Sequence, residues 1–317
     1  MNIASIGNIT FDILAYFNNY PIEDTRTNVD NLIYGFGGPA INASYVISKY
    51  GLNVDFYGII GKDVFGKMIY DELHNTKINI NNLLIQDHFD TPLSYISISK
   101  KTDTRTINTY RDKLEKIYEN NIKISNKKYD VIYTDGKYPN KFKELSRKNP
   151  NALKIIDAGR CNENIVDICK DMDYIICSLD FANDFMKYLK YDLSIDLNNQ
   201  KSINTVFNIL DNYFKKSNII ITLGSKGSVY KFDNEIKNIL PLTKNKVVDT
   251  NAAGDIYHGA FVYAILNDFD YQQAIEFANV TSSLSVTKYG GKLSCPNLDE
   301  VEKEIIEKKG KIKRLIK

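Results

Sequence analysis

Six short runs of branched apolar residues constrain this chain most: Ile3 to Ile6, Val54 to Ile60, Val131 to Tyr133, Lys154 to Ile156, Tyr174 to Cys177 and Ile219 to Leu223. Each has the length and residue type of a strand buried on both faces. Helical patterns fill most of the spaces between them, at Pro39 to Tyr50, Asp63 to Asn75, Asn140 to Lys148, Glu163 to Cys169, Leu179 to Leu189 and Thr205 to Lys215. Three more follow, at Gly254 to Asn267, Tyr271 to Thr287 and Asp299 to Lys308. The alternation predicts an α/β fold, a doubly wound and mostly parallel sheet with helices on both faces. Such a sheet takes its ligands at the carboxyl ends of its strands. Two regions break the rhythm. Residues Leu14 to Tyr34, and the alternating stretches Leu93 to Ser99 and Thr104 to Tyr110, read as antiparallel strands of a small β-sheet lid over the mouth of the main domain.

At 317 residues the chain can bury a large core, as one large domain with an appendage or as two. Hydrophobic residues at 43% and charged residues at 25% exclude the disordered and membrane classes. With 41 basic against 39 acidic side chains there is no broad electrostatic footprint for nucleic acid or a membrane surface. The first residues lack the basic and apolar regions of a signal peptide, so a cytoplasmic location is expected. Cys161, Cys169, Cys177 and Cys295 form no Cys-x-x-Cys pair and read as buried or incidental thiols. The Lys-rich run 302–317, with its spaced isoleucines, reads as a solvated terminal helix.

The run Val247 to Phe261 reads as a strand that turns through Ala252, Ala253 and Gly254 into a helix, with Asp255 just past the turn. Small side chains there leave backbone N–H groups free to face an anion at the positive end of the helix. A carboxylate beside them is what phosphoryl transfer to a hydroxyl requires: it accepts the proton while the N–H groups hold the developing charge. An ordinary dipole-stabilising aspartate fits the same residues equally well.

Three further elements fall at the same sheet edge. The diglycine Gly37-Gly38 enters a helix that carries Asn42 one turn in, a donor and acceptor suited to a polyhydroxylated ligand. Asp12, at the end of the first strand, is placed to accept two hydroxyls, or to cap a turn. The turn after Thr222, with Gly224 and Gly227, offers backbone groups to phosphate or ribose, or is a plain hairpin. No Gly-x-x-x-x-Gly-Lys-Ser/Thr run is present, which excludes a P-loop. His74, His88 and His258 form no metal pair.

Together these four elements, in this order, resemble the ribokinase (PfkB) family of carbohydrate kinases. The resemblance runs from Asn2 to about Leu298. The family's Asp-Thr-x-Gly-Ala-Gly-Asp pattern is matched at Asp249, Thr250, Ala253, Gly254 and Asp255, with Ala252 where a glycine is usual. The N-terminal signature is matched at Gly37, Gly38, Asn42, Gly58, Gly61, Asp63 and Gly66. The resemblance implies a single kinase domain over residues 1–317, with lid segments at about 13–35 and 92–111 that pair with a second subunit as a homodimer. It implies Asp255 as catalytic base, with Ala252, Ala253 and Gly254 as the anion hole, and Asp12, Gly38 and Asn42 around the sugar. Thr222, Gly224, Gly227, Asn279 and Ser283 would line an ATP site, and Asp249, Thr250, Ser285, Lys288 and Gly290 a K⁺ site.

Where many members carry Asn-x-x-Glu for Mg²⁺, this chain has Ser178-Leu179-Asp180-Phe181, so Asp180 would take over. That pattern, and Arg105 on a lid strand as a further sugar contact, is similar to the ketohexokinase-like branch. The implied activity is ATP-dependent phosphorylation of a hydroxymethyl group on a small sugar, a ketohexose such as fructose or a pentose such as ribose. A nucleoside or sugar-phosphate kinase of the same fold, or a non-catalytic sugar-binding regulator, stands as the alternative.

Overall fold

The structure, a computed structural model, describes residues 1–242 and 246–315. Nine strands form the central sheet in the order Glu235–Ile239, Ser228–Phe232, Asn218–Thr222, Tyr174–Ser178, Leu153–Ala158, Val131–Thr134, Ile3–Ile6, Val54–Tyr57 and Ile78–Asn79. The seven from Asn218–Thr222 onward are parallel, and the first two extend the edge as antiparallel strands. The continuous apolar runs are explained by this: Ile3–Ile6, Val54–Tyr57 and Val131–Thr134 are buried at every position, covered on both faces.

Two apolar cores flank the sheet. One contains the helices Pro39–Lys49, Ala253–Leu266 and Tyr271–Ser285, the other the helices Pro139–Lys148, Glu163–Cys169, Leu179–Tyr188 and Gln200–Tyr213. The helix Ala253–Leu266 is buried over most of its surface, as an apolar helix between a sheet and two other helices must be. Gly259 permits that depth, because a Cβ there would lie 2.6 Å from the carbonyl oxygen of Ala43. The terminal helix spans Leu298–Leu315, and positions 316–317 of the Lys-rich run lie outside the described residues.

A four-stranded sheet stands apart, in the order Asn31–Gly37, Thr10–Phe17, Leu93–Ser99 and Thr104–Tyr110. Its middle pair is parallel and its outer pairs antiparallel. Three sequence readings need correction. Asp12 lies inside Thr10–Phe17, a strand of this small sheet, since the first central strand ends at Ile6. Val54 to Ile60 is two strands, broken at Gly58, with Ile59–Gly61 pairing instead with Leu84–Gln86. Val247 and Val248 belong to no sheet: the N–H groups of Val248 and Asp249 both donate to the Val286 carbonyl, which holds the segment without a neighbouring strand.

Candidate active site

The diglycine reaches its helix through Gly38, whose φ of 112° is open to glycine and strained for other residues. Four residues on, the Asn42 Nδ2 donates to Asp255 Oδ2 at 2.7 Å, joining two positions 213 residues apart. The Asn42 Oδ1 is buried and has no partner. A buried carbonyl oxygen without a donor is costly, and a ligand hydroxyl would satisfy it.

Asp255 stands in the first turn of the helix Ala253–Leu266. Among the described residues, the N–H groups of Gly254 and Asp255 meet no backbone acceptor, and nothing lies within 4 Å of where a Gly254 Cβ would be. The turn is therefore an open, electropositive helix start. Burial pushes the Asp255 pKa up to about 6, against the lowering effect of the Asn42 hydrogen bond. Ala252 is the helix N-cap and adopts the left-handed conformation, φ 59° and ψ 8°.

Asp12 accepts from Thr10 Oγ1 at 2.6 Å, and burial raises its pKa while Lys292 and Arg111 draw it down. It faces Gly37 so closely that a Cβ there would lie 1.8 Å from its Oδ2. Asp12, Phe36, Asn42, Asn251 and Lys292 line one cavity between the small sheet and the main domain. Asp12, Gly38, Asn42 and Asp255 are thus brought together. Arg105 is exposed, and its Nη1 donates to Thr250 Oγ1 at 2.7 Å, toward the segment that leads into Asp255.

Thr222 ends a central strand beside Ser178, and Gly224 and Gly227 shape the following turn with φ of 57° and 82°. Asn279 and Ser283 lie one turn apart on one helix, where Asn279 Nδ2 donates to the Leu240 carbonyl and Ser283 Oγ accepts the Leu242 N–H. They anchor the segment after the edge strand. Asp180 is exposed in the first turn of the helix Leu179–Tyr188, next to Thr222 at the same edge, while Phe181 is fully buried and stacks on Phe185. No group of three or more His, Cys, Asp and Glu side chains is placed to hold a metal among the described residues.

Of the residues implied for K⁺, Asp249 is buried, with Tyr16 OH donating to its Oδ2 at 2.7 Å. Ser285 Oγ donates to the Ser282 carbonyl, and Lys288 Nζ pairs with Glu300 at 2.9 Å.

Sequence reasoning missed Lys292 and Asp135. Lys292 is buried, lies 3.8 Å over the Phe36 ring, pairs with Glu72 at 3.2 Å and donates to the Phe36 carbonyl. Asp135 accepts the Asn8, Ala40 and Lys137 N–H groups, tying the first strand to the diglycine helix. Behind Asp255, His258 Nδ1 and Asp157 Oδ2 are 3.3 Å apart, both buried. Burial pushes the Asp157 pKa up to about 8 and the His258 pKa down. No sequence signal marks Lys292 or Asp135, whose roles come from residues distant in the chain, whereas Asp157 ends a central strand at the ligand edge and His258 stands one turn past Asp255, both legible positions.

The fold is shared with a solved putative ribokinase from Agrobacterium tumefaciens, at a TM-score of 0.85 and 19% identity over 96% of this chain and 97% of that one. The model for the pfkB family carbohydrate kinases matches residues 1–298, and the chain belongs to that family of phosphotransferases. Among curated relatives it is 26% identical to a ribokinase of Lactococcus lactis subsp. lactis, over 96% of this chain and 97% of that protein. It is 24% identical to a nucleoside kinase of Methanocaldococcus jannaschii, over 94% and 95%.

Proposed function

We propose that the chain is an ATP-dependent kinase that phosphorylates a hydroxymethyl group of a small sugar, in the Asp12–Asn42–Lys292 cavity. The observation that carries this reading is the Asn42–Asp255 hydrogen bond at 2.7 Å, which joins a base at an open helix start to a residue that lines a polar cavity. Asp12 and the unpaired Asn42 Oδ1 take the sugar hydroxyls. Asp255 Oδ accepts the proton of the hydroxyl as its oxygen bonds to the γ-phosphorus and the bond to the bridging oxygen of ADP breaks. The N–H groups of the Ala252–Asp255 turn stabilise the charge on the transferred group. Mg²⁺, when bound with the nucleotide, neutralises phosphate charge. Thr222, Gly224 and Gly227 lie at the nucleotide end of the same sheet edge, and the small sheet closes over the sugar and excludes water.

The outer face of that sheet carries Leu32, Tyr34 and Tyr110, more than half exposed, around the half-buried Ile13 and Tyr95. Such a face fits a homodimer through the lid. The resemblance also extends K⁺ to Asp249, Thr250, Ser285, Lys288 and Gly290, where the donor set does not suit a cation. ATP consumption measured against a panel of pentoses, ketohexoses, nucleosides and sugar phosphates tests the reading. Turnover with a free sugar supports it; preference for nucleosides or sugar phosphates moves the substrate class, and background rates with every acceptor, despite binding, contradict it.

A further inference from the structure

We infer that this kinase works without a monovalent cation, because two side chains of the small sheet, Tyr16 and Arg105, occupy the place and the job of one. A weakly hydrated cation such as K⁺ needs oxygens that converge on it with their lone pairs and no hydrogens pointing the same way. Asp249 offers the opposite. Its Oδ1 accepts the Asn251 N–H at 2.8 Å, and its Oδ2 accepts Tyr16 OH at 2.7 Å, the Gly290 N–H at 3.2 Å and the Gly291 N–H at 3.4 Å. Four hydrogens already point at this carboxylate. The Gly290 N–H also lies 3.0 Å from the Tyr16 oxygen, so the phenol sits between the two loops that would have to share an ion.

Two neighbouring oxygens already make hydrogen bonds. The Val286 carbonyl accepts the N–H groups of Val248 and Asp249 at 2.8 and 3.2 Å, and Ser285 Oγ is turned to Ser282. Thr250 Oγ1 accepts the Arg105 guanidinium at 2.7 Å, which brings a positive charge beside the position a cation would take. Like charges at that distance repel.

Tyr16 is fully buried, with the Tyr289 ring edge-on at 5.1 Å, and lies on the strand that carries Asp12. It therefore ties the sugar-binding strand directly to the segment entering the Ala252–Asp255 turn. Tyr16 is a positioning residue: it touches no substrate, and it fixes Asp249 and so the approach to the anion hole. The inference rests on the kinase reading for its consequence and on the donor set for its substance.

The test has two arms. Turnover and melting temperature of the intact protein are compared in potassium chloride and tetramethylammonium chloride at equal ionic strength, with thallous ion as a second binding probe in nitrate. The expected difference in kcat/KM between the media is under about twofold, below the roughly fivefold at which site coupling ordinarily begins. No K⁺- or Tl⁺-specific rise in melting temperature is expected. Saturable stimulation of fivefold or more, or a saturable cation-specific thermal shift, overturns the inference; the thermal arm needs no turnover, so it stands apart from failure of the kinase assignment. In the second arm, Tyr16→Phe keeps the ring and removes the hydroxyl. Assayed well below its melting temperature, it should lose at least about fivefold in kcat. Unchanged kcat would remove Tyr16 from the positioning role.

Discussion

Asn42 and Asp255 meet at 2.7 Å, and that contact favours the ionised carboxylate that the proposed reaction requires. Burial raises the Asp255 pKa to about 6, and the Asn42 donor opposes the rise. Only the ionised carboxylate is a base, so kcat/KM should fall as pH drops through about 6. Asn42→Ala removes the opposing donor, and the acidic limb should move to higher pH; a limb that stays in place, measured as kcat/KM against pH, would separate Asn42 from the base.

Ala252 in the left-handed region carries a Cβ where glycine would have none, at a cost of roughly 1 kcal/mol. Ala252→Gly should raise the melting temperature by about 2 °C, the shift that 1 kcal/mol produces in a chain of this size class. Turnover should hold, because the N–H groups of the turn are unchanged. Thermal denaturation beside steady-state rates checks both.

The Asp157 carboxyl, with a pKa near 8 in the folded protein against 3.8 for an ordinary aspartate, keeps its proton through neutral pH while the unfolded chain has lost it. A raised carboxyl pKa subtracts stability increasingly as pH rises between those values. Asp157→Asn keeps the shape beside His258 and removes the ionisation. The variant should be indistinguishable from the parent near pH 4 and more stable by at least about 1 kcal/mol at pH 8. Melting temperatures across that range decide the point; equal stability at both ends contradicts the assigned shift.

Leu32, Tyr34 and Tyr110 are 51%, 59% and 53% exposed on one face of the small sheet. If this face pairs with a second copy, Tyr34→Asp should give a monomer by light scattering at concentrations where the parent is a dimer. A parent that is itself monomeric removes the assembly.

The parallel sheet was legible because a strand buried on both faces leaves a run of branched residues with no alternation, as in Ile3–Ile6 and Asn218–Thr222. The convergence of Asn42 on Asp255 was legible because ligands gather at one edge of such a sheet. Asp12 was placed near the right partners on the wrong element, since Gly7 to Thr10 gives no sign that the chain leaves one sheet for another. Val247 and Val248 have strand-forming side chains, but the N–H groups of Val248 and Asp249 both meet a single carbonyl, that of Val286, which no local pattern encodes.

Lys292 was illegible for another reason. Lysine in a Gly-Gly-Lys-Leu-Ser loop reads as solvated, and it is the ring and carbonyl of Phe36 and the Glu72 carboxylate, all more than 200 positions away, that make its burial tolerable. Tyr16 likewise looked like one more inward residue of a strand; its hydroxyl acquires meaning only from Asp249, 233 positions along the chain.

The central claim, that Asp255 is the base of a phosphotransferase, is tested most directly by Asp255→Asn. The amide is nearly the same shape and cannot accept the substrate proton. Sugar binding, followed by ligand-induced thermal shift, should persist, while kcat should fall by at least about a hundredfold. An Asp255→Asn protein that still turns over within about tenfold of the parent would contradict the account.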